Sequence, residues 1–119
     1  MTQPKPTCKR GDVILALFPD SNLRTAKPRP ALVVQADNLQ TGLAQVIVAM
    51  ITSRMFRANH PSRVSVLRSS PEGKHSGLLS DSVVMTDNLA TLAESEIDRV
   101  IGSIPMSKVD VALRHTLNL

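Results

Sequence analysis

The chain has 119 residues, is 42% hydrophobic and carries a net charge of +4, as expected for one domain with a single core. Its one cysteine excludes an internal disulfide, and no Cys/His group has the spacing of a zinc site. No apolar run approaches the roughly 20 residues of a membrane helix, and the N-terminus lacks a signal peptide's apolar segment, so we expect a cytoplasmic protein without metal, cofactor or membrane contact.

Short apolar runs between turn-forming residues predict five or six β-strands. Residues 1–9 contain two prolines and are expected to form a loose tail before a single domain at 10–119. The strands are predicted at 12–18, 31–34, 44–51, 63–67, 82–85 and 89–92. Polar loops are expected at 19–28 and 69–76, and a tight connection at 86–88 joins the last two strands.

The C-terminal segment has the pattern of a helix. Apolar residues recur there at helical spacing, at Met106, Val109, Leu113 and Leu117. Pro105 is compatible with the first turn, and residues 94–100 fit either a helical turn or an irregular crossover. A mainly β fold is therefore predicted, a small antiparallel barrel with a C-terminal helix over one open end.

Charge is distributed unevenly along the chain. Residues 21–74 hold eight Lys/Arg and two acidic residues, a net charge of +6. Residues 81–119 hold three basic and six acidic residues, a net charge of −3. The first of these regions has a field that attracts a polyanion or an acidic peptide.

Five segments occur in an order and spacing that resemble a known family. They are RGDVILALF (10–18), KPRPALVV (27–34), VIVAMITS (46–53), GLLSDSVV (77–84) and VDVALRHTLNL (109–119). Together they resemble the MazF/PemK toxins of type II toxin–antitoxin systems. The resemblance implies an SH3-like barrel, a homodimer and a sequence-specific, metal-independent endoribonuclease that cleaves single-stranded RNA. It also implies a cognate antitoxin, whose acidic segment would lie across the basic region.

Arg29 is the first candidate for a catalytic residue. Pro28 fixes its own φ and Pro30 favours an extended residue before it, so the guanidinium is mounted on a stiff strand entrance. Its planar fork suits phosphate. The resemblance implies that Arg29, Thr52 and Asp87 are catalytic. Arginine stays protonated, so we expect Arg29 to stabilise the phosphorane while Asp87, a water or the substrate phosphate is the base.

A second set of residues is predicted to bind RNA: Arg24, Lys27, Ser53, Arg54, Phe56, Arg57 and Asn88. Phe56 is the one aromatic ring in a basic loop, where it would stack on a base or anchor the loop. Met85 stands where some family members have an arginine, and the segment PDSNLRTAK departs from the better-known toxins, so base specificity cannot be transferred. Three histidines are rival acid–base groups: His60, His75 and His115.

Two other functions remain open at this stage. One is a barrel that binds RNA or an antitoxin peptide without cleaving RNA. The other is a protein-binding toxin like CcdB, which relies on a terminal tryptophan, whereas this chain has no tryptophan and ends Thr-Leu-Asn-Leu.

Overall fold

The computed structural model describes residues 8–19, 24 and 26–119, so most of the predicted tail lies outside the described residues. The strands are β1 (Asp12–Pro19), β2 (Ala26–Val33), β3 (Gln45–Thr52), β4 (Arg63–Val66), β5 (Ser82–Ala93) and β6 (Ile97–Ser103). The helices are α1 (Pro71–Ser76) and α2 (Ser107–Leu117), and 3₁₀ turns lie at Met55–Arg57 and Glu94–Glu96. The strands form one antiparallel sheet in the order β4-β5-β3-β2-β1-β6. The predicted mainly β fold with a C-terminal helix is confirmed.

The central strands are buried on both faces, which explains why they are continuously apolar rather than alternating. One face carries the inner cluster, made of Ile14, Ala16, Ala31, Val33, Val46, Val48, Leu92 and Ile97. The opposite face carries the helix-side cluster, made of Val13, Leu32, Ala49, Ile51, Val66, Leu78, Val84, Ile104 and Val109. The turn Glu94–Glu96 leads β5 directly into β6, which pairs with β1, so the sheet curls around the inner cluster like a barrel.

The predicted C-terminal helix is confirmed, and its apolar stripe faces the core. Val109 is fully buried, and Met106 and Leu113 pack against the helix-side cluster, whereas Leu117 is half exposed. The helix packs against β4 and β5. At its first turn Asp110 accepts a 2.5 Å hydrogen bond from Nη2 of Arg10, which ties the start of β1 to the helix.

The predicted connection at Thr86–Asn88 is wrong, because one strand runs through it. Ala49 pairs with Leu89 and the next residue, Met50, pairs with Met85, so 86–88 form a bulge with no partner in β3. Thr86 is fully buried, and its backbone N–H and Oγ1 both donate to the carbonyl of Ser62, at 3.0 and 2.6 Å. These hydrogen bonds to the loop before β4 replace the β3 pairing and keep the strand continuous.

The predicted loop at 69–76 is also wrong, because residues 71–76 form α1. Ser70 caps this helix by accepting a hydrogen bond from the Gly73 amide at 3.0 Å, Pro71 opens the first turn and Gly77 ends it at φ 74°. The helix packs against β6, where a Cβ on Gly102 would collide with the backbone of Ser76. The cap signals were present in the sequence, but six residues carry too little apolar periodicity to predict a helix.

Candidate active site

The first half of β2 is the strand entrance that carries Arg29. Strand β2 begins at Ala26, five residues before the predicted start, and Pro28 and Pro30 lie inside it. These two prolines pair with Leu17 and Leu15 of β1, whereas the ladder with β3 begins only at Ala31. This half of β2 therefore behaves as an edge strand, where proline is tolerated. Arg29 lies exposed between the prolines.

Thr52 ends the neighbouring strand at the same level. The β2–β3 ladder ends at the pair Ala31–Met50, two residues short of both Arg29 and Thr52. Arg29 and Thr52 line the same pocket, so they share one edge of the sheet. The Thr52 Oγ1 accepts a 3.2 Å hydrogen bond from the backbone N–H of Arg54. That bond orients the hydroxyl and does not use its proton, which can be donated to a phosphate oxygen.

A pocket of about 620 Å³ opens at this edge of the sheet. It is formed by the first half of β2, by the end of β3, by residues 77–80 and Ser82, and by β1 and β6. Its apolar lining includes Ile51 and Leu78, which belong to the helix-side cluster, so the pocket is floored by the protein core. Its polar lining consists of Arg29, Thr52, Ser53, Arg54, Ser80, Ser82 and Arg99.

The charged side chains that line the pocket are cationic. Three arginines line it, Arg29, Arg54 and Arg99, and none of the described residues that line it is acidic. A cation against a low-dielectric apolar floor acts on an anion more strongly than the same cation in water. The pocket therefore suits phosphate groups. Among the described residues, no three His, Cys, Asp or Glu side chains are placed together to hold a metal ion.

Asp87 does not line this pocket. It lies in the β5 bulge, four residues beyond Val83, the partner of Thr52. Its carboxylate accepts hydrogen bonds from Nη2 and Nε of Arg63, at 2.8 and 3.4 Å. Arg63 also donates to the backbone carbonyl of Arg57 at 3.1 Å. Met85 of β5 stands where some family members have an arginine. Arg63 of β4 pairs with Met85 in the ladder, so the guanidinium beside Asp87 comes from β4.

This ion pair predicts a pH-dependent stability. The Arg63 hydrogen bond lowers the pKa of Asp87 below its ordinary value. The stabilisation is therefore complete above about pH 4, the carboxyl pKa in the unfolded chain, and is lost as the pH falls through the folded-state pKa. We expect Asp87→Asn to lower the free energy of unfolding by about 1 kcal/mol at pH 7, with a difference that shrinks below pH 4. Urea unfolding from pH 7 to 2.5 measures it.

A matched control for that experiment is Asp98→Asn. Asp98 lies 3.4 Å from Nη1 of Arg99 in an exposed pair, which contributes little to stability. An Asp87→Asn protein as stable as the wild type at pH 7 would contradict the proposed role of the ion pair.

The turn Met55–Arg57 joins the pocket to the β5 bulge. Arg54 lines the pocket, and Phe56, two residues later, is 80% exposed. The Phe56 ring therefore does not anchor the loop, and it is accessible for stacking. The Arg57 guanidinium carbon lies 5.7 Å from the ring centroid, and Arg57 Nη1 is 3.8 Å from the sulfur of Met85. A basic track thus leads from the pocket towards Asp87.

The comparisons with known proteins agree with this architecture. Residues 9–117 match the family described as PemK-like, MazF-like toxin of type II toxin–antitoxin system. The chain belongs to this family. It is 36% identical over 107 residues to Endoribonuclease MazF6 of Mycobacterium tuberculosis and to Endoribonuclease MazF2 of Mycobacterium bovis, in each case covering 87% of this chain and 90% of the relative.

Solved structures give the same result for the fold of this PemK/MazF-like toxin. An endoribonuclease in complex with its cognate antitoxin from a mycobacterial species matches with a TM-score of 0.70 and 25% identity, over 95% of this chain and 97% of that chain. A MazE–MazF crystal structure from Deinococcus radiodurans matches with a TM-score of 0.69 at 19% identity, which supports the fold alone. The predicted family and SH3-like fold are confirmed.

The toxin fold brings together only part of the predicted site. Arg29, Thr52, Ser53 and Arg54 line one pocket, whereas Asp87 lies with Arg57 and Arg63 around the bulge. The remaining candidates do not line the pocket: Arg24, Lys27 and Asn88 are exposed, His75 lies on α1, and the ring centroids of His60 and His115 are 6.1 Å apart. Most of the loop before Ala26 lies outside the described residues.

Sequence reasoning missed the far wall of the pocket. Arg99 and residues 77–80 line it, and neither was a candidate. Arg99 lies within residues 81–119, whose net charge is negative, so the regional net charge gave no indication of a basic site there. No local signal marked Arg99, because residues two apart in a strand share a face and Ile97, Arg99 and Ile101 would lie together.

Proposed function

We propose that this toxin-family endoribonuclease cleaves single-stranded RNA in the arginine-lined pocket, sequence-specifically and without a metal ion. One observation carries the proposal: Arg29 and Thr52 line the same pocket, which holds three arginines and an apolar floor. A folded polyanion-binding surface alone would not need a rigid, proline-flanked arginine beside a donor hydroxyl.

The reaction that suits these groups uses the ribose 2′-hydroxyl as nucleophile. Its oxygen attacks the adjacent phosphorus and loses its proton, the P–O5′ bond breaks, and the O5′ leaving group takes up a proton. The products are a 2′,3′-cyclic phosphate and a 5′-hydroxyl. Arg29 and the Thr52 hydroxyl donate to the non-bridging oxygens as charge develops on the phosphorane. Arg29 does not accept the 2′-proton, because a guanidinium has no free lone pair.

A water or a phosphate oxygen of the substrate is the base in this proposal. Asp87 is less suited to that role within one protomer, because its carboxylate is held by Arg63 and lies outside the pocket. We assign Asp87 and Arg63 to the support of the bulge, beside Asn88. The exposed Phe56, with Arg54 and Arg57 on either side, extends the RNA path by stacking on an unpaired base.

The cellular setting follows from family membership. We propose a cytoplasmic homodimer whose cognate antitoxin blocks the pocket with an acidic segment, since that segment would compete with RNA for Arg29, Arg54 and Arg99. One similar endoribonuclease was solved with its cognate antitoxin. No helix among the described residues is long and apolar enough to span a membrane.

The test is cleavage of a mixed-sequence RNA by the purified protein in excess EDTA. We expect discrete fragments whose 5′ ends are phosphorylated by polynucleotide kinase without prior phosphatase treatment. A 2′-deoxy substitution at the cleaved nucleotide is expected to stop cleavage there, because it removes the nucleophile. Cleavage that requires added Mg²⁺, or fragments with 5′-phosphates, would refute the mechanism, and RNA binding without cleavage would favour a non-cleaving barrel.

A further inference from the structure

Arg99 is the pocket arginine to which the proposed reaction gives no role. It lies on β6, opposite Leu15 of β1, and Leu15 is in turn opposite Pro30 of β2. These three residues form a row across the sheet, and Arg29 is the neighbour of Pro30. Because adjacent strands are about 5 Å apart, the backbones of Arg99 and Arg29 lie roughly 10 Å apart across the pocket mouth.

The surface between the two arginines is apolar. Leu15, Pro28, Pro30 and Ile51 line the pocket between the β6 wall and Thr52. A base laid on this surface would be shielded from water, while the phosphates on either side of it would face Arg29 and Arg99. This arrangement compensates for the position of the exposed Phe56 ring, which lies outside the pocket.

The local contacts of Arg99 contribute little to the stability of the fold. Its contact with Asp98 is long, at 3.4 Å, and the two side chains are 67% and 55% exposed. An exposed ion pair of this length contributes little to stability. The guanidinium is therefore available to an external anion.

We propose that Arg99 binds the phosphodiester next to the one held by Arg29, so that the two arginines fix the register of a single-stranded RNA across the pocket. The proposal rests on the RNA-binding role of the pocket, and it extends that role by naming a second phosphate site. Arg99 is a substrate-binding residue here, and it takes no part in proton transfer. The unit recognised is two consecutive phosphates with the nucleoside between them.

The experiment measures binding of a short RNA made resistant to cleavage by 2′-deoxy nucleotides at the cleaved positions. Each phosphate in turn is replaced by an uncharged methylphosphonate, and binding is measured for wild type, Arg29→Ala and Arg99→Ala. We expect Arg99→Ala to weaken RNA binding about tenfold. The slope of the logarithm of the binding constant against the logarithm of the salt concentration should become shallower by about 0.7, as for one lost phosphate contact. Arg99→Lys should restore most of both, since charge is retained.

The phosphate scan gives the decisive result. At one phosphate, the methylphosphonate and Arg99→Ala should weaken RNA binding less together than the sum of their separate effects. A second phosphate should show the same non-additivity with Arg29→Ala. The two phosphates should be adjacent in the RNA. The control is Arg114→Ala, which removes an exposed arginine of α2 that does not line the pocket and should leave every effect additive. Thermal unfolding of each variant establishes that it is folded.

The outcomes separate this proposal from the cleavage reaction. Additive effects of Arg99→Ala at every phosphate, or coupling to a phosphate that does not adjoin the Arg29 phosphate, would overturn the assignment of Arg99. A wild-type protein that binds RNA but leaves the all-ribose RNA uncut would refute cleavage and still support Arg99 if the coupled phosphates adjoin. A folded wild-type protein that binds no RNA would overturn both.

Discussion

Arg29→Ala is expected to lower kcat for RNA cleavage by about 100- to 1,000-fold, the loss typical when one fixed donor to a developing oxyanion is removed. Arg29 lies in an extended segment between two prolines and lines the pocket, so its backbone is restrained before RNA binds. Initial rates in EDTA on a fluorescently labelled RNA, at saturating concentration, measure the change.

Two further variants test whether cleavage requires the Arg29 guanidinium or only positive charge. Arg29→Lys keeps the charge but loses the planar fork, so we expect a rate between those of wild type and Arg29→Ala. Arg68→Ala removes an exposed arginine of the same basic region that does not line the pocket, and it should retain nearly full activity. If Arg68→Ala were as impaired as Arg29→Ala, general positive charge would explain the activity and the assigned role of Arg29 would be wrong.

Sequence patterns predicted the elements whose apolar residues form a continuous run or a single stripe. Strands β1 and β3 are apolar runs buried on both faces, and α2 has a stripe of apolar residues at helical spacing, so both classes were found nearly in full. The β5 bulge was missed because Asp87 and Asn88 are typical turn residues. Its continuity depends on Thr86 bonding to Ser62, a contact between residues 24 apart that local sequence does not reveal.

Only part of the candidate site has a local mark in the sequence. Pro28 and Pro30 draw attention to Arg29, whereas Thr52 was predicted from the family resemblance. Arg99 has no such local mark, because its relevance comes from strand order alone: β6 pairs with β1, which places Arg99 two strands away from β2. Asp87 was predicted from the family resemblance, and the fold pairs it with Arg63 outside the pocket.

The wall of the pocket formed by residues 77–80 depends on a close backbone contact behind it. Gly77 ends α1 and lines the pocket, and a Cβ there would collide with the backbone of Ile101. One residue further along β6, Gly102 is pressed against the backbone of Ser76. These contacts hold α1 against β6, and they determine how far residues 77–80 stand from Arg29 across the pocket. Stability and the pocket's shape are therefore coupled at this contact.

Gly102→Ala is consequently expected to destabilise the protein by about 3 kcal/mol or more, the scale of strain from overpacking a tightly packed site. Its Cβ would collide with backbone atoms of His75 and Ser76, which cannot move aside as a flexible side chain can. Thermal unfolding should therefore occur on the order of 10 °C lower. The matched control is Gly42→Ala, where a Cβ meets nothing within 4 Å and only the φ of +78° opposes the change, at about 1 kcal/mol. A Gly102→Ala protein that unfolds no earlier than Gly42→Ala would show that α1 and β6 separate easily, and the pocket wall would then have to be held by other contacts.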